Sequence, residues 1–244
     1  MLPSAEVAVM LLVVGLYLQD ALLLLYDNEG VLEVKGSDRY LIHLGSRSLH
    51  LAGRNPFLPN PFAPWRPIYR LAWDASAELA DLSNTQRAAF DRSKAALRSL
   101  GWGLIPIGMG LFVGLPLCLY FNIGWRLFLM LVAAMYAAAF AMLWMLWRRR
   151  RDLALDAKRF TVICLESLAC LPCALNLVRK VSTQLPIGAD LVDTARAYAS
   201  AGDVQRLLGE ILRRVNEDIE AADVGGPRWQ TLTNYRARVV TFLS

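Results

Sequence analysis

The sequence lacks the residues from which most catalytic sites are built. Its 244 residues include only two histidines, and none of the motifs G-x-S-x-G, G-x-x-x-x-G-K-[ST], H-E-x-x-H or G-x-G-x-x-G occurs. Without a placed base, a zinc-binding helix or a phosphate loop, the common hydrolases, kinases and dehydrogenases have no starting point here. The sequence therefore predicts no catalytic residue, no cofactor and no metal, and it favours a non-enzymatic protein.

Cysteine is also scarce, and its placement excludes a secreted disulfide framework. The four cysteines lie in apolar sequence, so we expect reduced thiols. Cys170 and Cys173 have the C-x-x-C spacing of a redox pair or of half a metal site. A thioredoxin-like pair needs a preceding strand, and zinc needs two more ligands, which Cys164 and a distant histidine do not supply. We favour buried, inert thiols, and the pair remains a weak redox or metal candidate.

The proportion of charged residues is low for a soluble protein and high for a chain buried wholly in lipid. The composition is 56% hydrophobic and 19% charged, with a mean hydropathy of +0.36. The net charge of +5 would suggest nucleic acid if the basic residues formed one face of a soluble domain. Four arginines instead form a block beside an apolar segment. We therefore predict that these basic residues lie beside a lipid bilayer and that the protein does not bind nucleic acid.

Three apolar runs are long enough to cross a membrane, which takes about 20 helical residues. They are Ala5–Tyr26, Trp102–Phe121 and Trp125–Trp147. The first lacks the basic start and the cleavage site of a signal peptide, so it is predicted to be a retained anchor. The second and third are separated by three residues, which predicts a helical hairpin.

Basic residues beside the runs predict the orientation, because short loops rich in Lys and Arg stay in the cytoplasm. Arg148 to Arg151 follow the third run, and Arg92, Lys94 and Arg98 precede the second, whereas the hairpin turn carries only Arg126. We predict a multi-pass protein of a bacterial inner membrane, N-terminus out and C-terminus in, with most of its polar mass cytoplasmic.

The predicted architecture has four parts. Residues 1–26 form transmembrane helix 1, and 27–101 form a small cytoplasmic β-meander, a Pro-rich strap and a helix. Residues 102–147 form the transmembrane hairpin, and 148–244 form a cytoplasmic helical domain. The fold class is thus a mainly α membrane protein with three transmembrane helices.

Small residues predict how the hairpin packs. Gly110 and Gly114 form a G-x-x-x-G pair, and Ala134, Ala138 and Ala141 lie on the third run, where they permit close backbone approach. We favour packing within the chain over a homodimer contact.

The segment 27–101 begins with three short runs of strand-forming residues, Gly30–Lys35, Arg39–Leu44 and Arg47–Leu51, which predict a β-meander. Such a unit has little stability alone and should rest on other structure. Asn55–Pro67 contains five prolines, so we expect an extended strap that cannot continue a strand ladder. Its aromatic residues either pack on their own domain or bind a partner. These candidates are Phe57, Phe62 and Trp65.

Beyond the arginine block, Phe160–Val178 is nearly as apolar as a span but contains Glu166. We favour a buried or interface-lying helix over a fourth span, because an unpaired carboxylate in lipid is costly. An apolar face at helical spacing from Val204 to Ile219 predicts a helix capped by Asp203. Another helix is expected over Arg228–Leu243.

Asp20 is the least expected residue, because it lies with Gln19 inside the first run, about six residues from its predicted end. Asp is too short to reach far toward water, so it should have a partner. It is either a hydrogen-bonded structural residue, which we favour, or a proton or cation site. His43 and His50 would be cross-strand neighbours if the second and third strands paired, which makes them a weak metal candidate.

These observations favour a non-catalytic membrane subunit or scaffold that binds a protein at the cytoplasmic face through protein–protein interaction. The partner is a membrane or cytoplasmic protein, a second copy of the chain included. The alternative is a transport or enzyme component that uses Asp20, with Glu166 and the C-x-x-C, near the cytoplasmic interface. A third hypothesis is a pH or metal sensor built on His43 and His50.

Overall fold

The protein is mainly helical, with a small β insert. The computed structural model describes residues 5–36, 39–76 and 81–243. Its helices are α1 (Ala5–Ala21), α2 (Asn84–Gly101), α3 (Leu104–Met109), α4 (Leu115–Tyr120), α5 (Trp125–Arg149), α6 (Ala157–Ala169), α7 (Leu171–Ala174), α8 (Leu177–Thr183), α9 (Leu191–Tyr198), α10 (Ala201–Glu220) and α11 (Pro227–Leu243). Its strands are β1 (Leu23–Leu25), β2 (Glu29–Val34), β3 (Tyr40–His43), β4 (Asn55–Phe57) and β5 (Ile68–Ala72).

The chain forms two compact units, each assembled from separate stretches of sequence. Unit 1 comprises Met1–Leu23, Leu58–Tyr69 and Ala89–Pro186, and unit 2 comprises Leu24–Phe57, Arg70–Ala88 and Ile187–Ser244. Each unit buries its own apolar residues. Examples in unit 1 are Leu100, Leu104, Ile107, Met142 and Leu146, and examples in unit 2 are Leu32, Leu191, Leu208, Ile211 and Tyr235.

Helix α5 is the one described helix whose length and composition suit a membrane span. It has 25 residues, and 22% of its apolar window is buried. The stretch Asn84–Gly101 with Leu104–Tyr120 passes the same test only as a pair bent by 42°, so the described residues offer at most two such segments. Helix α1 ends at Ala21, and β1 follows, so the prediction of one helix to Tyr26 was wrong at its C-terminal end. Apolarity alone does not distinguish the end of a helix from a strand.

The helical hairpin is present, with a π-helical turn at Gly110–Gly114 between α3 and α4. A Cβ on Gly110 would lie 2.5 Å from Sδ of Met135, and one on Gly114 would lie 3.0 Å from Leu131, so both glycines adjoin α5. Ala134 and Ala141 are exposed and Ala138 is half-buried. Larger side chains of α5, rather than these alanines, therefore meet the glycines.

The β insert differs from the predicted meander in its third strand. Strands β2 and β3 are antiparallel, with Val31 opposite His43 and Val34 opposite Tyr40. The other neighbour of β2 is β5, whereas Arg47–Leu51 forms no strand beyond an isolated bridge from Leu51 to Arg54. Five of the six residues of β2 are buried, and such a strand needs a neighbour on each side. Ser37 and Asp38, in the predicted turn before β3, lie outside the described residues.

The Pro-rich strap begins as a strand, so the prediction that it cannot join a ladder was wrong over Asn55–Phe57. Strand β4 pairs with β1 in a two-stranded sheet, where every strand is an edge and a proline is tolerated. Residues 58–67 then form turns instead of one extended segment.

The apolar run Phe160–Val178 is broken into three helices. Helix α6 ends at Cys170, whose φ of −139° is extended, and α7 and α8 follow with a break near Asn176. No single helix in this described stretch is long enough for a fourth span. The prediction of one helix over this run was therefore wrong, and its burial is divided: α7 and α8 are largely buried, whereas α6 is partly exposed.

The C-terminal helices follow the predicted apolar faces. Leu207, Leu208, Ile211 and Val215 of α10 are buried. The predicted cap was wrong, because Ser200 caps α10 by accepting a hydrogen bond from the backbone N–H of Asp203, which lies in the first turn. A serine three residues before an acidic residue is the usual capping box, so the signal was present in the sequence.

Candidate functional site

The strongest polar cluster of unit 1 is centred on Asp20, near the C-terminal end of α1. Its Oδ1 lies 2.7 Å from Nζ of Lys180, and its Oδ2 accepts a hydrogen bond of 3.0 Å from Nδ2 of Asn176. Lys180 lies in α8, and Asn176 is the N-cap residue of the same helix. The expected partner of Asp20 is thus present, and both carboxylate oxygens are occupied.

Lys180 connects Asp20 to Glu166 of α6, whose carboxylate lies 2.8 Å from the same Nζ. Burial alone would lower the pKa of Lys180. Hydrogen bonds and opposite charges from Asp20 and Glu166 outweigh burial, so the pKa is raised from its ordinary value. The lysine is therefore held as an ammonium ion, which is unsuited to act as a base or to form a Schiff base.

Asn176 and Arg179 extend the network to the strap. Asn176 also donates to the carbonyl of Tyr17, and its own Oδ1 accepts from Nη1 of Arg179 at 3.3 Å. Nη2 of Arg179 donates to the carbonyls of Asn60 and Ala63, at 2.5 and 2.9 Å. The network therefore ties α1, α6, α8 and the strap together within unit 1.

The hydroxyl of Tyr17 adds a second tie between α1 and the strap, because it donates to the carbonyl of Pro61 at 2.5 Å. Sequence reasoning identified Asp20 and Glu166 but missed Lys180, Arg179 and Tyr17. Two adjacent cations after a long apolar run were a usable signal, since an intramembrane carboxylate needs such partners.

The two cysteines of the C-x-x-C lie beside this network. Both are half-buried and free, and Cys170 is the N-cap residue of α7. Burial raises the pKa of Cys173 to about 12, and a hydrogen bond with Cys170 and the charge of Asp20 act in the same direction. A thiol with this pKa is protonated at neutral pH and is a poor nucleophile and metal ligand.

The two histidines do not form a pair. His43 lies on β3, where its ring stacks on Phe57 with centroids 4.8 Å apart and its Nε2 lies 3.9 Å from Glu33. Burial lowers the pKa of His43. His50 is exposed and outside any strand, so the two are not cross-strand neighbours. Among the described residues, no group of three or more His, Cys, Asp or Glu could hold a metal ion.

The remaining sequence candidates are mostly exposed. Phe62 is 85% exposed and Trp65 is 47% exposed, whereas Phe57 is covered by His43. Gln19, beside Asp20 in the chain, is exposed.

Unit 2 contains a buried arginine that sequence reasoning missed. Arg214 of α10 is 2% exposed, and it donates to the carbonyls of Asp27 and Leu44, each at 2.9 Å. Its Nε donates to Glu210 at 3.2 Å. The guanidinium thereby fixes α10 to the ends of two segments of the β insert. On the sequence it is one of two adjacent arginines in an amphipathic helix, and nothing there distinguishes it from exposed Arg213.

Comparison with known proteins adds no relative, since no protein-family model, no curated protein and no solved structure matches this chain. The class that the fold defines is a mainly helical protein with a small two-sheet β insert and one helix suited to cross a membrane. Its polar cluster in unit 1 holds two carboxylates, a charged lysine and the protonated thiol of Cys173. Chemically, this arrangement is suited to fixing helices and the strap in place.

Proposed function

We propose that this is an integral protein of a bacterial inner membrane that acts as a non-catalytic subunit or scaffold for a protein partner. The hairpin and α1 form the membrane part, with the N-terminus outside and the remaining polar segments in the cytoplasm. The observation that carries the proposal is the apolar surface that the hairpin leaves uncovered. Its exposed apolar residues include Met109, Phe112, Leu117, Leu127, Leu129, Met130, Phe140 and Trp144.

The magnitude of this exposure favours lipid over water. Burying one Leu, Phe or Met side chain stabilises a protein by about 1.5 to 3 kcal/mol. The eight residues are each about half exposed, so leaving them in water would forgo about 6 to 12 kcal/mol, comparable to the whole stability of a domain at about 5 to 15 kcal/mol. A soluble protein rarely exposes such a patch, whereas a bilayer covers it.

Helix α1 supports the same placement. Leu11 and Leu12 are exposed in the part of the helix away from Asp20. Its 17 residues span about 25 Å, slightly less than the hydrocarbon thickness of about 30 Å, so local thinning of the bilayer would accommodate the helix. The arginine block at the end of α5 supports the cytoplasmic placement of the C-terminus.

The scaffold role is supported by how the polar cluster is used. The carboxylates of Asp20 and Glu166 share Lys180 as their cation, and the thiol of Cys173 beside them is protonated. Exposed Phe62 and Trp65 on the strap are the candidate contacts for a partner. Rigid support beneath exposed aromatic side chains is typical of a protein-binding surface.

A first experiment tests the membrane part. A reporter enzyme that is active only in the cytoplasm should be active when fused after Ser244, and one that is active only in the periplasm should be inactive there. The protein should also stay in membranes after alkaline carbonate washing. A soluble protein after the wash, or a periplasmic reporter, contradicts the proposal.

A second experiment tests partner binding. Purification in mild detergent should retain a stoichiometric partner, and the double variant Phe62→Ser with Trp65→Ser should lose it. Val224→Ser is the matched control, because Val224 is exposed on unit 2 and lies away from the strap in sequence. Equal retention in all three proteins contradicts a partner-binding strap.

A transport or enzyme component is the second candidate, favoured by the convergence of Asp20, Glu166 and Cys173 at one place. The variant Asp20→Asn separates the two candidates. Lost flux or activity of the host complex with normal assembly supports the second candidate, and unchanged flux removes it.

A further inference from the structure

The junction between α5 and α6 carries a group of positive charges without carboxylate partners. No acidic side chain in the described part of the chain forms an ion pair with Arg148, Arg149, Arg150, Arg151 or Lys158. Residues 148–159 contain six cations and two carboxylates, Asp152 and Asp156. Asp156 caps α6 by accepting from the N–H of Arg159 and lies 3.8 Å from Nε of that arginine, so the stretch keeps a clear excess of positive charge. Like charges at this density repel one another, so an external anion would stabilise them.

Tryptophans hold two of these arginines at the end of α5. The guanidinium carbon of Arg150 lies 3.6 Å from the ring centroid of Trp147, and that of Arg148 lies 5.7 Å from Trp144. Trp144 is itself one of the exposed residues of the proposed span. Tryptophan favours the headgroup level of a bilayer, which places these arginines among phosphate groups.

Helix α6 presents an apolar stripe beside the basic group. Val162 is 46% exposed and Leu165 is 65% exposed, and both share one helix stripe with exposed Lys158 at spacings of three and four residues. On the opposite side, Ile163 and Ser167 are buried. Such a helix, apolar on its free side and basic at its start, is typical of one that lies in a membrane interface.

The stripe lies next to the end of α5. The ring of Phe160 in the first turn of α6 contacts Trp147, with centroids 4.9 Å apart. The basic side chains and the apolar stripe are therefore adjacent where the end of α5 meets the start of α6. A free anion would need only the charges, whereas a phospholipid uses both, through its headgroup and its acyl chains.

We propose that this junction is a binding site for anionic phospholipid, with the headgroup at Arg148 to Arg151 and Lys158 and the acyl chain against Val162 and Leu165. The inference rests on the proposed membrane function and adds a lipid class to it. Phosphate oxygens accept hydrogen bonds from guanidinium groups, and a net negative headgroup supplies the missing counter-charge.

The test uses the full chain in phosphatidylcholine liposomes with trace spin-labelled lipid. Electron paramagnetic resonance gives the association of labelled phosphatidylglycerol relative to labelled phosphatidylcholine. We expect a preference of about twofold or more for phosphatidylglycerol. The triple variant Arg149→Gln, Arg151→Gln and Lys158→Gln should bring the ratio close to one.

A matched variant removes the same charge from exposed positions of unit 2, namely Arg206→Gln, Arg228→Gln and Arg236→Gln, and should keep the wild-type ratio. A wild-type ratio of one, or an equal loss in both variants, overturns the site. Sodium phosphate and sodium chloride at equal ionic strength should lower the ratio equally, and a larger loss with phosphate assigns the site to a soluble anion instead. If no labelled lipid is immobilised at all, the proposed membrane function itself has failed.

Discussion

Helix α5 in unit 1 and helix α10 in unit 2 are both long, but they place their apolar side chains in opposite ways. In α10, Leu207 and Ile211 are buried while Arg206 and Arg213 reach solvent. In α5, Phe140 is among the apolar residues that remain uncovered. Both patterns follow from one rule, that apolar surface avoids water, if the solvent around α10 is water and the solvent around α5 is lipid.

Buried cations and buried anions are satisfied in different ways. Arg214 of unit 2 and Arg179 of unit 1 both donate to backbone carbonyls, whereas Asp20 of unit 1 is paired with an opposite charge. Carbonyl oxygens suffice for one cation. A largely buried carboxylate needs a cation or strong hydrogen-bond donors, because carbonyl oxygens cannot donate to it and little water is present to share its charge.

The largest effect is expected at Arg214. Arg214→Met should destabilise unit 2 by about 3 to 5 kcal/mol, because it removes the donors to the buried carbonyl of Leu44 and the partly buried carbonyl of Asp27 and takes one cation from Glu210. Limited proteolysis under increasing urea would measure this loss. Arg213→Met, at the adjacent exposed position, should cost under about 1 kcal/mol. Equal effects of the two changes would mean that Arg214 is not the tie between α10 and the β insert.

A charge on α5 should have the next largest effect. Phe140→Lys should disfavour membrane insertion by about 3 kcal/mol, roughly a hundredfold in the insertion equilibrium, because a lysine near the middle of a span is costly. Insertion can be measured with a glycosylation-site assay. Val224→Lys on unit 2 is the control and should change nothing. If Phe140→Lys left insertion unchanged, water and not lipid would surround α5.

A smaller effect is expected from the ionisation of Lys180. Because its pKa is raised in the folded state, its stabilising contribution is complete below the ordinary value of 10.5 and is lost as pH rises through the higher folded value. The thermal stability of unit 1 should therefore fall as the pH rises above 10.5. Lys180→Met should be less stable at pH 8 and should lack this dependence. If the wild type and Lys180→Met lost stability equally as the pH rose, Lys180 would not be the source of the pH dependence.

Much of the helical architecture was predictable because its signals are local. The hairpin follows from two apolar runs and a three-residue turn, and α10 follows from apolar residues at helical spacing. The need of Asp20 for a partner was also predictable, since it depends on the solvent and not on the fold.

Other features were not predictable because they depend on residues far apart in the chain. The pairing of β2 with β5, instead of with Arg47–Leu51, depends on strand partners more than thirty residues apart. The first apolar run is equally apolar on both sides of Leu22, so the change from α1 to β1 is decided by the pairing of β1 with β4.

The sequence by itself determined which segments avoid water, because side-chain transfer energies and helical spacing are properties of the chain alone. Only the tertiary structure decided which charges meet. Asp20 and Lys180 are separated by 160 positions, and adjacent Arg213 and Arg214 differ only in the direction that each takes from α10. Such pairings depend on distances in the folded chain, which no spacing along the sequence encodes.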